Sequence, residues 1–160
     1  TTLKYWKNGV ETILTDPSLA QLHGEEIFVQ GNDVYVCGWG DYGTYTIAKY
    51  WKNGVRTNLG GGVYSSLAHS LFVSGSDLYV GGWESNGNFN VATYWKNGTP
   101  VTLTNGTSNS SIRSVYVHGC AVYMAGYETI LTDKHATYWK NGVPVTLSAN
   151  SASAYTIIVN

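Results

Sequence analysis

Three aromatic residues recur at one position of an internal repeat and could stack on a flat ligand. Trp39, Trp83 and Tyr127 are spaced by 44 residues, and each closes a short apolar segment just before a polar loop. An aromatic face packs on the apolar C–H side of a pyranose, while nearby amides and carboxylates hydrogen-bond its hydroxyls. This pattern favours sugar binding. The alternative is that the same rings only fill the space between packed units.

Further candidates for ligand contact lie in the loops that follow these aromatics. The loops span residues 40–45, 84–89 and 128–135 and differ in every copy, whereas the turns at the other end of the strands are nearly invariant. Loops on a rigid scaffold commonly carry function, so we expect the ligand on this face. The candidate ligand-binding residues are Trp39, Trp83, Tyr127, Tyr42, Tyr45, Glu84, Asn86, Asn88 and Phe89.

Signatures of catalysis and metal binding are weak. Glu84 and Glu128 occupy equivalent loop positions, and paired carboxylates serve glycoside hydrolases. Gly40 stands at that position in the first copy, however, and surface acids of this kind are usually solvated. The histidines fall at unmatched repeat positions, with no metal-ligand spacing among them. We therefore expect no catalytic residue, no metal site and no cofactor.

Other polar residues have simple structural interpretations. Cys37 and Cys120 stand at unmatched positions of the repeat, so two free thiols are expected. Asp33 and Asp77 recur in a turn, where an aspartate tolerates left-handed backbone. A calcium ligand in each copy is the alternative for these two carboxylates.

A tandem repeat supplies the elements that must position these residues. The pentapeptide Tyr-Trp-Lys-Asn-Gly occurs four times, at spacings of 45, 44 and 44 residues, and begins at Tyr5, Tyr50, Tyr94 and Tyr138. Each unit contains four short apolar segments bounded by turn residues, which we name strands A to D. The Asn-Gly pair predicts a type I′ hairpin between strands C and D.

These units predict an all-β chain. Four antiparallel strands per unit with a period in the forties indicate a β-propeller, each unit being one blade; a β-solenoid or β-prism is the alternative. Residues 1–160 would form a single propeller or propeller fragment, with about three complete blades and partial terminal blades. Residues 157–159 read as part of a strand A. Because unpaired sheet edges are sticky, we expect self-association that completes the ring, or a natural parent with more blades.

The composition argues against two classes of partner. Charged residues make up 12% of the chain, the net charge is −1, and the nine basic residues are scattered. Nucleic-acid binders instead carry a basic patch, so no nucleic-acid partner is expected. No apolar run approaches the length of a transmembrane helix.

The repeat resembles a family of secreted bacterial β-propeller proteins. Their blades carry Tyr-Trp-Lys-Asn-Gly followed by Pro-Val-Thr-Leu-Thr, and Phe-Val-Ser-Gly-Asn/Ser-Asp-Val/Leu-Tyr-Val-Gly-Gly-Trp/Tyr. Here these are residues 94–104 and 72–83, and the resemblance covers essentially the whole chain. It implies an exported protein, secreted or at the cell surface, built for binding or display, but no particular activity. One departure is the hexapeptide at 128–133, which repeats residues 11–16 at a different place in the unit.

Three hypotheses follow for function. The first is a non-enzymatic, lectin-like binding module for carbohydrate, with one weak site per blade. The second is a structural propeller that assembles through its open edges with its own copies or with a surface protein. The third is a fragment of a polysaccharide-active enzyme.

Overall fold

The computed structural model describes residues 2–17, 21–148 and 151–159. About 65% of the described residues are in strands and the described part contains no helix, so it contains none that could cross a membrane. The fourteen strands are β1 (Leu3–Lys7), β2 (Val10–Leu14), β3 (Gln21–Gln30), β4 (Asp33–Asp41), β5 (Thr46–Lys52), β6 (Val55–Asn58), β7 (Ser66–Ser74), β8 (Asp77–Ser85), β9 (Asn90–Lys96), β10 (Thr99–Thr102), β11 (Ser110–His118), β12 (Ala121–Ile130), β13 (Asp133–Lys140) and β14 (Val143–Thr146).

The strands form three four-stranded antiparallel sheets and one two-stranded sheet. The first sheet is β3-β4-β5-β6, the second β7-β8-β9-β10 and the third β11-β12-β13-β14, each in chain order, while β1 pairs with β2. Each four-stranded sheet is therefore one repeat, with strands A to D as neighbours in sequence. The neighbouring A strands contact one another, β3 with β7 and β7 with β11.

The Lys-Asn-Gly turns have the backbone that the sequence predicts. Asn53 has φ 50° and Gly54 has φ 85°, and the other copies agree closely, as a type I′ turn requires. The Asn53 side chain also joins this turn to the neighbouring A–B turn. Its Oδ1 accepts from the N–H of Val34 at 2.9 Å, and its Nδ2 donates to Asp33 at 2.8 Å. The second sheet repeats both bonds through Asn97.

The turn aspartates have a different role from the one expected. Asp33 begins β4, and the left-handed φ falls on Gly31 instead. The Asp33 carboxylate accepts from Lys52 at 2.8 Å, and this bond is the main cause of its lowered pKa. Asp77 and Lys96 repeat the pair at 2.8 Å. The repeated pentapeptide is thus a structural motif, because its Lys and Asn hold the adjoining turn.

The core lies between successive sheets. Trp51, Trp95 and Trp139 of the pentapeptides are completely buried, whereas their counterpart Trp6 is 59% exposed. The largest cluster joins side chains of the first sheet, such as Cys37, to side chains of the second, such as Leu71. Each sheet therefore buries its faces against its neighbours, as the apolar residues on both faces indicate.

Each strand A contains a β-bulge. The register shifts at the same repeat position in β3, β7 and β11, and the extra residues are Glu25, His69 and Arg113. A glycine of strand B faces each bulge, for example Gly82 in the second sheet. A Cβ on Gly82 would lie 1.9 Å from the carbonyl oxygen of Leu67, so the bulge requires glycine there.

The residue after each bulge links one sheet to the next. Glu26 Oε2 accepts from the N–H of Leu71 at 2.6 Å, and Ser70 Oγ accepts from the N–H of Val115 at 3.0 Å. Both bonds join residues 45 positions apart. One contact, which we name the A–A latch, therefore relates the first sheet to the second and the second to the third.

Residues 157–159, predicted as part of a strand A, are not a strand in the structure. The N–H of Ile157 nevertheless donates to Ser114 Oγ at 3.2 Å, which repeats the A–A latch. The N–H groups of Ala152 and Ala154 donate to carbonyl oxygens of the third sheet. The segment lies against that sheet, but no described strand pairs with it to complete a ladder.

Residues 128–135, expected to be a loop, continue the third sheet instead. Strand β12 runs to Ile130 and β13 starts at Asp133, with Leu131 at the tip, where it has φ 59° and is 97% exposed. Part of the same hexapeptide forms β2. Thr and Ile favour strands in both places because β-branched side chains suit a pleated surface.

Candidate functional site

An open cleft of about 560 Å³ lies between the first and second sheets, on the face of the variable loops. We name it the Trp83 cleft. Its aromatic residues are Tyr45, Tyr64 and Trp83, and the remaining lining residues are Thr44, Val63, Ser65, Ser85, Gly87 and Asn90. The volume is within the range of roughly 300–1,000 Å³ that is common for small-molecule sites.

Three loops and two strand ends build the Trp83 cleft. Trp83 lies near the end of β8, Tyr45 in the loop before β5, and Tyr64 in the loop before β7. The Tyr64 ring lies over Gly87, where an added Cβ would meet its Cζ atom at 3.0 Å. Gly87 has φ 99°, so it serves both the loop backbone and the close approach of Tyr64.

Some polar groups of the Trp83 cleft form hydrogen bonds that hold its loops, and others have no partner in the described part of the chain. Ser65 Oγ accepts from the N–H of Thr46 and Ser85 Oγ accepts from the N–H of Gly87. Within the described part of the chain, no hydrogen bond engages the indole N–H of Trp83, the hydroxyls of Tyr45 and Tyr64, or the side-chain amide of Asn90. These four groups are free to bind a ligand.

The equivalent aromatic of the first sheet is already stacked. The rings of Trp39 and His23 lie 3.7 Å apart with an interplanar angle of 10°. The Trp39 indole N–H donates to Glu25 Oε1 at 3.2 Å. Residues of the same sheet therefore occupy one face of the Trp39 ring and its indole N–H.

The equivalent aromatic of the third sheet is buried. Tyr127 is 7% exposed, and two cations lie near its ring. Lys134 Nζ is 4.5 Å and Arg113 Cζ is 5.9 Å from the ring centroid. The repeated position thus has three environments, of which the one at Trp83 borders the open cleft.

The remaining predicted residues divide into cleft, scaffold and surface. Tyr42 stacks on Tyr45 at 5.2 Å, and so supports a ring of the Trp83 cleft. Glu84 Oε1 accepts from the N–H of Gly61 at 2.9 Å and holds the loop before β7. The Asn86 amide has three bonds: Oδ1 accepts from two N–H groups of its own loop, and Nδ2 donates to the Gly106 carbonyl. Asn88 and Phe89 are exposed at the loop tip.

Tyr64 and Asn90 are cleft residues that the sequence analysis missed. Tyr64 is 49% exposed in the loop that begins with the Gly60-Gly61-Gly62 run. An aromatic in a polar, glycine-rich loop on the variable face was a usable signal. Asn90 gave none, because its position at the start of β9 matches ordinary strand residues in the other copies.

A buried ionic cluster lies beside the loop that carries Tyr42. Lys49 Nζ is 3.1 Å from Asp16 Oδ2, with both side chains fully buried, and Arg56 also pairs with Asp16. Lys49 donates as well to Asn58 Oδ1 at 2.7 Å and to the Tyr42 hydroxyl at 3.1 Å. The equivalent residues of the other sheets are buried threonines, so this cluster is particular to the first sheet. Because Lys49 holds Tyr42, it also fixes the ring that supports Tyr45.

The remaining reactive groups are dispersed. Cys37 is buried and Cys120 exposed, and both are free thiols; burial raises the pKa of Cys37 well above its ordinary value. Within the described ranges, no three His, Cys, Asp or Glu side chains gather in a way that could hold a metal ion.

Comparison with protein-family models gives no match for this chain, and comparison with the curated proteins gives none.

Proposed function

We propose that this chain is a β-propeller binding module that takes a neutral sugar in the Trp83 cleft. The observation that carries the proposal is the cleft itself, in which Trp83, Tyr45 and Tyr64 border one open space. Aromatic rings suit the apolar face of a pyranose. The four unengaged donors and acceptors around them suit its hydroxyls.

The propeller arrangement is supported by the repetition of one contact. Three sheets of the same strand order follow one another, and the A–A latch joins each to the next. Units related by one repeated contact generate a regular array, and radial packing of four-stranded sheets is the propeller architecture. The variable loops then share one face of the array.

The chemistry of the Trp83 cleft favours an uncharged ligand and binding without reaction. No charged side chain is among the lining residues. Glu84, the nearest candidate for an acid catalyst, is bonded to the Gly61 N–H. Such a shallow site would bind one sugar weakly, and linkage to further sites would raise the avidity. A role in an exported protein, secreted or at the cell surface, agrees with this proposal.

A glycan array with the whole chain tests the proposal, with Trp83→Ala and Tyr64→Ala as site variants. We expect binding to a coherent family of neutral glycans, weakened about tenfold or more in each variant, which corresponds to about 1.4 kcal/mol. Tyr155→Ala is the matched control, because Tyr155 is an exposed aromatic residue outside the cleft lining. Circular dichroism would show that each variant is folded.

Two outcomes would overturn the sugar proposal. One is the absence of glycan binding by folded wild-type chain. The other is binding that Tyr155→Ala weakens as much as Trp83→Ala does, since the ligand would then not be bound specifically in the Trp83 cleft.

A second candidate function is self-assembly, favoured by the exposed face of the first sheet. Ile27 is 51% exposed, whereas its counterparts Leu71 and Val115 are 1% and 4% exposed. Trp6, on the adjoining two-stranded sheet, differs from the other pentapeptide tryptophans in the same way. We propose that a second copy of this chain covers this face, since the chain itself buries the equivalent faces of its other sheets.

A further inference from the structure

In the first and third sheets, the bulge residue of strand A contacts the aromatic at the end of strand B, and the charge of the bulge residue differs among the three sheets. Glu25 accepts from the Trp39 indole in the first sheet, and Arg113 lies 5.9 Å from the Tyr127 ring centroid in the third. His69 occupies the position in the second sheet. We name the place where the bulge of strand A meets the aromatic at the end of strand B the corner. The bulge residue at the corner is thus a carboxylate in the first sheet, a neutral imidazole in the second and a guanidinium in the third.

The Arg113 guanidinium lacks a counter-charge. Its Nη1 donates to His69 Nε2 at 3.3 Å, and its Nε is buried with no hydrogen-bond partner. Among the described residues, no carboxylate lies within ion-pair distance of it. Because an imidazole that accepts from a guanidinium is neutral, His69 leaves the positive charge uncompensated. A partly buried charge in this situation is costly until a partner arrives.

A second cation reinforces the first. Lys134 is exposed on β13, and its Nζ lies 4.5 Å from the centroid of the Tyr127 ring. The ring attracts both cations through its negative faces, so Tyr127 holds Arg113 and Lys134 at the same corner. Two positive charges beside the same ring favour an anion nearby.

We propose that Arg113 and Lys134, held by Tyr127, form a binding site for a carboxylate-bearing ligand, separate from the Trp83 cleft. The planar guanidinium matches a carboxylate in two parallel hydrogen bonds, and Lys134 adds a flexible point charge. Arg113 is half-buried and Lys134 is exposed, so a ligand can approach these cations from solvent while the Tyr127 ring stays buried. The module would then offer two kinds of site on one face, one for a neutral ligand and one for an acidic ligand.

The pKa of His69 reports whether the proposed site is occupied. Burial, and secondly the charge of Arg113, lower the pKa of His69 to about 4. A carboxylate bound to Arg113 offsets that positive charge. Occupation of the site is therefore expected to raise the pKa of His69.

The test is an NMR titration of the whole chain with sodium glucuronate, following the Arg113 Nε–H and the His69 ring signals at constant ionic strength. We expect saturable shifts and a higher pKa of His69 in the complex. Arg113→Gln should weaken binding about tenfold or more, since it removes the charge-assisted hydrogen bonds of the guanidinium. Lys134→Gln, at an exposed position, should weaken it to a smaller degree. Lys140→Gln is the matched control, because Lys140 lies 5.3 Å from the Tyr123 ring elsewhere in the same sheet.

Three further ligands identify what is bound. Glucose should produce no shift at these signals, and equal shifts with glucose would overturn the carboxylate proposal. Sodium acetate that binds as glucuronate does would show that the bare carboxylate is recognised, whereas glucuronate binding alone would show an acidic sugar; both support the proposal. Tighter binding of sulfate than of either carboxylate would contradict it.

The variants provide the remaining decisive outcomes. Shifts reproduced by sodium chloride alone, or unchanged in a folded Arg113→Gln chain, would exclude this site. If Arg113→Gln does not fold, Lys134→Gln decides, because loss of its exposed ammonium must weaken glucuronate binding relative to Lys140→Gln. Neither result bears on glycan binding in the Trp83 cleft, whose lining contains neither cation.

Discussion

At the residue scale, His69 couples two sheets through its imidazole. It accepts from Arg113 of the third sheet while belonging to β7 of the second. Its pKa is lowered from an ordinary value of 6.5 to about 4, chiefly because burial disfavours the charged ring. The neutral form is therefore the one that stabilises the fold.

This shift predicts a pH dependence of stability with a definite sign. Between pH 6.5 and about 4 the unfolded chain binds a proton at His69 that the folded chain does not. The stability due to neutral His69 is therefore complete above pH 6.5 and is lost as the pH falls toward 4. The shift corresponds to a loss on the order of 2–3 kcal/mol. Urea unfolding at a series of pH values measures it.

His69→Gln is the test variant, because an amide can accept from Arg113 but does not titrate. The free energy of unfolding of this variant should fall less than that of wild type between pH 6.5 and 4. His118→Gln, at an exposed position at the end of β11, serves as the control and should follow wild type. If the free energy of unfolding falls equally with pH in wild type and in His69→Gln, His69 does not contribute to the pH dependence of stability.

At the element scale, the bulge in strand A and the glycine opposite it form one unit. The bulge turns Glu25, His69 and Arg113 toward the corner and brings the following residue to the A–A latch. Gly82 is required because the Leu67 carbonyl oxygen would lie 1.9 Å from its Cβ. The neighbouring Gly81 is crowded by side-chain atoms of Val115 and Ile112 instead.

A pair of glycine substitutions tests this unit. Gly82→Ala should lower the free energy of unfolding by about 3 kcal/mol, at the upper end for overpacking, because a backbone carbonyl must move. Gly61→Ala is the matched control and should change the free energy of unfolding by less than about 0.5 kcal/mol, because an added Cβ there would meet only Glu84 Oε1 at 3.6 Å. Thermal or urea unfolding measures both, and equal losses would contradict the role given to the bulge.

At the scale of the whole molecule, the chain buries each sheet against the next and leaves one end face open. The exposed apolar residues at that end are Trp6 and Ile13 on the two-stranded sheet and Ile27 and Val29 on the first sheet. Ile27 also lines a cleft of about 220 Å³ between these two sheets. Exposed apolar surface of this kind marks an interaction site.

Self-association is therefore expected to increase with protein concentration. Sedimentation velocity over a concentration series should show dimers or larger species in wild type, and Ile27→Ser should shift the equilibrium toward monomer. Val55→Ser is the matched control, because Val55 is 71% exposed on the outer strand β6 of the same sheet. A wild-type chain that stays monomeric at every concentration would remove the self-assembly proposal.

The sequence by itself determined the strand content, the repeat and its turns. Tyr-Trp-Lys-Asn-Gly repeats at a constant spacing, and local rules for Asn-Gly turns and apolar segments act within a few residues, so they are readable without coordinates.

The tertiary structure alone decided which of the equivalent aromatics borders an open site. Trp39, Trp83 and Tyr127 look alike in the sequence, but their surroundings come from residues of other loops and sheets. His23 covers Trp39, Lys134 and Arg113 approach Tyr127, and Trp83 is left beside the open cleft. Exposure depends on contacts between distant parts of the chain, and a periodic pattern contains no information about them.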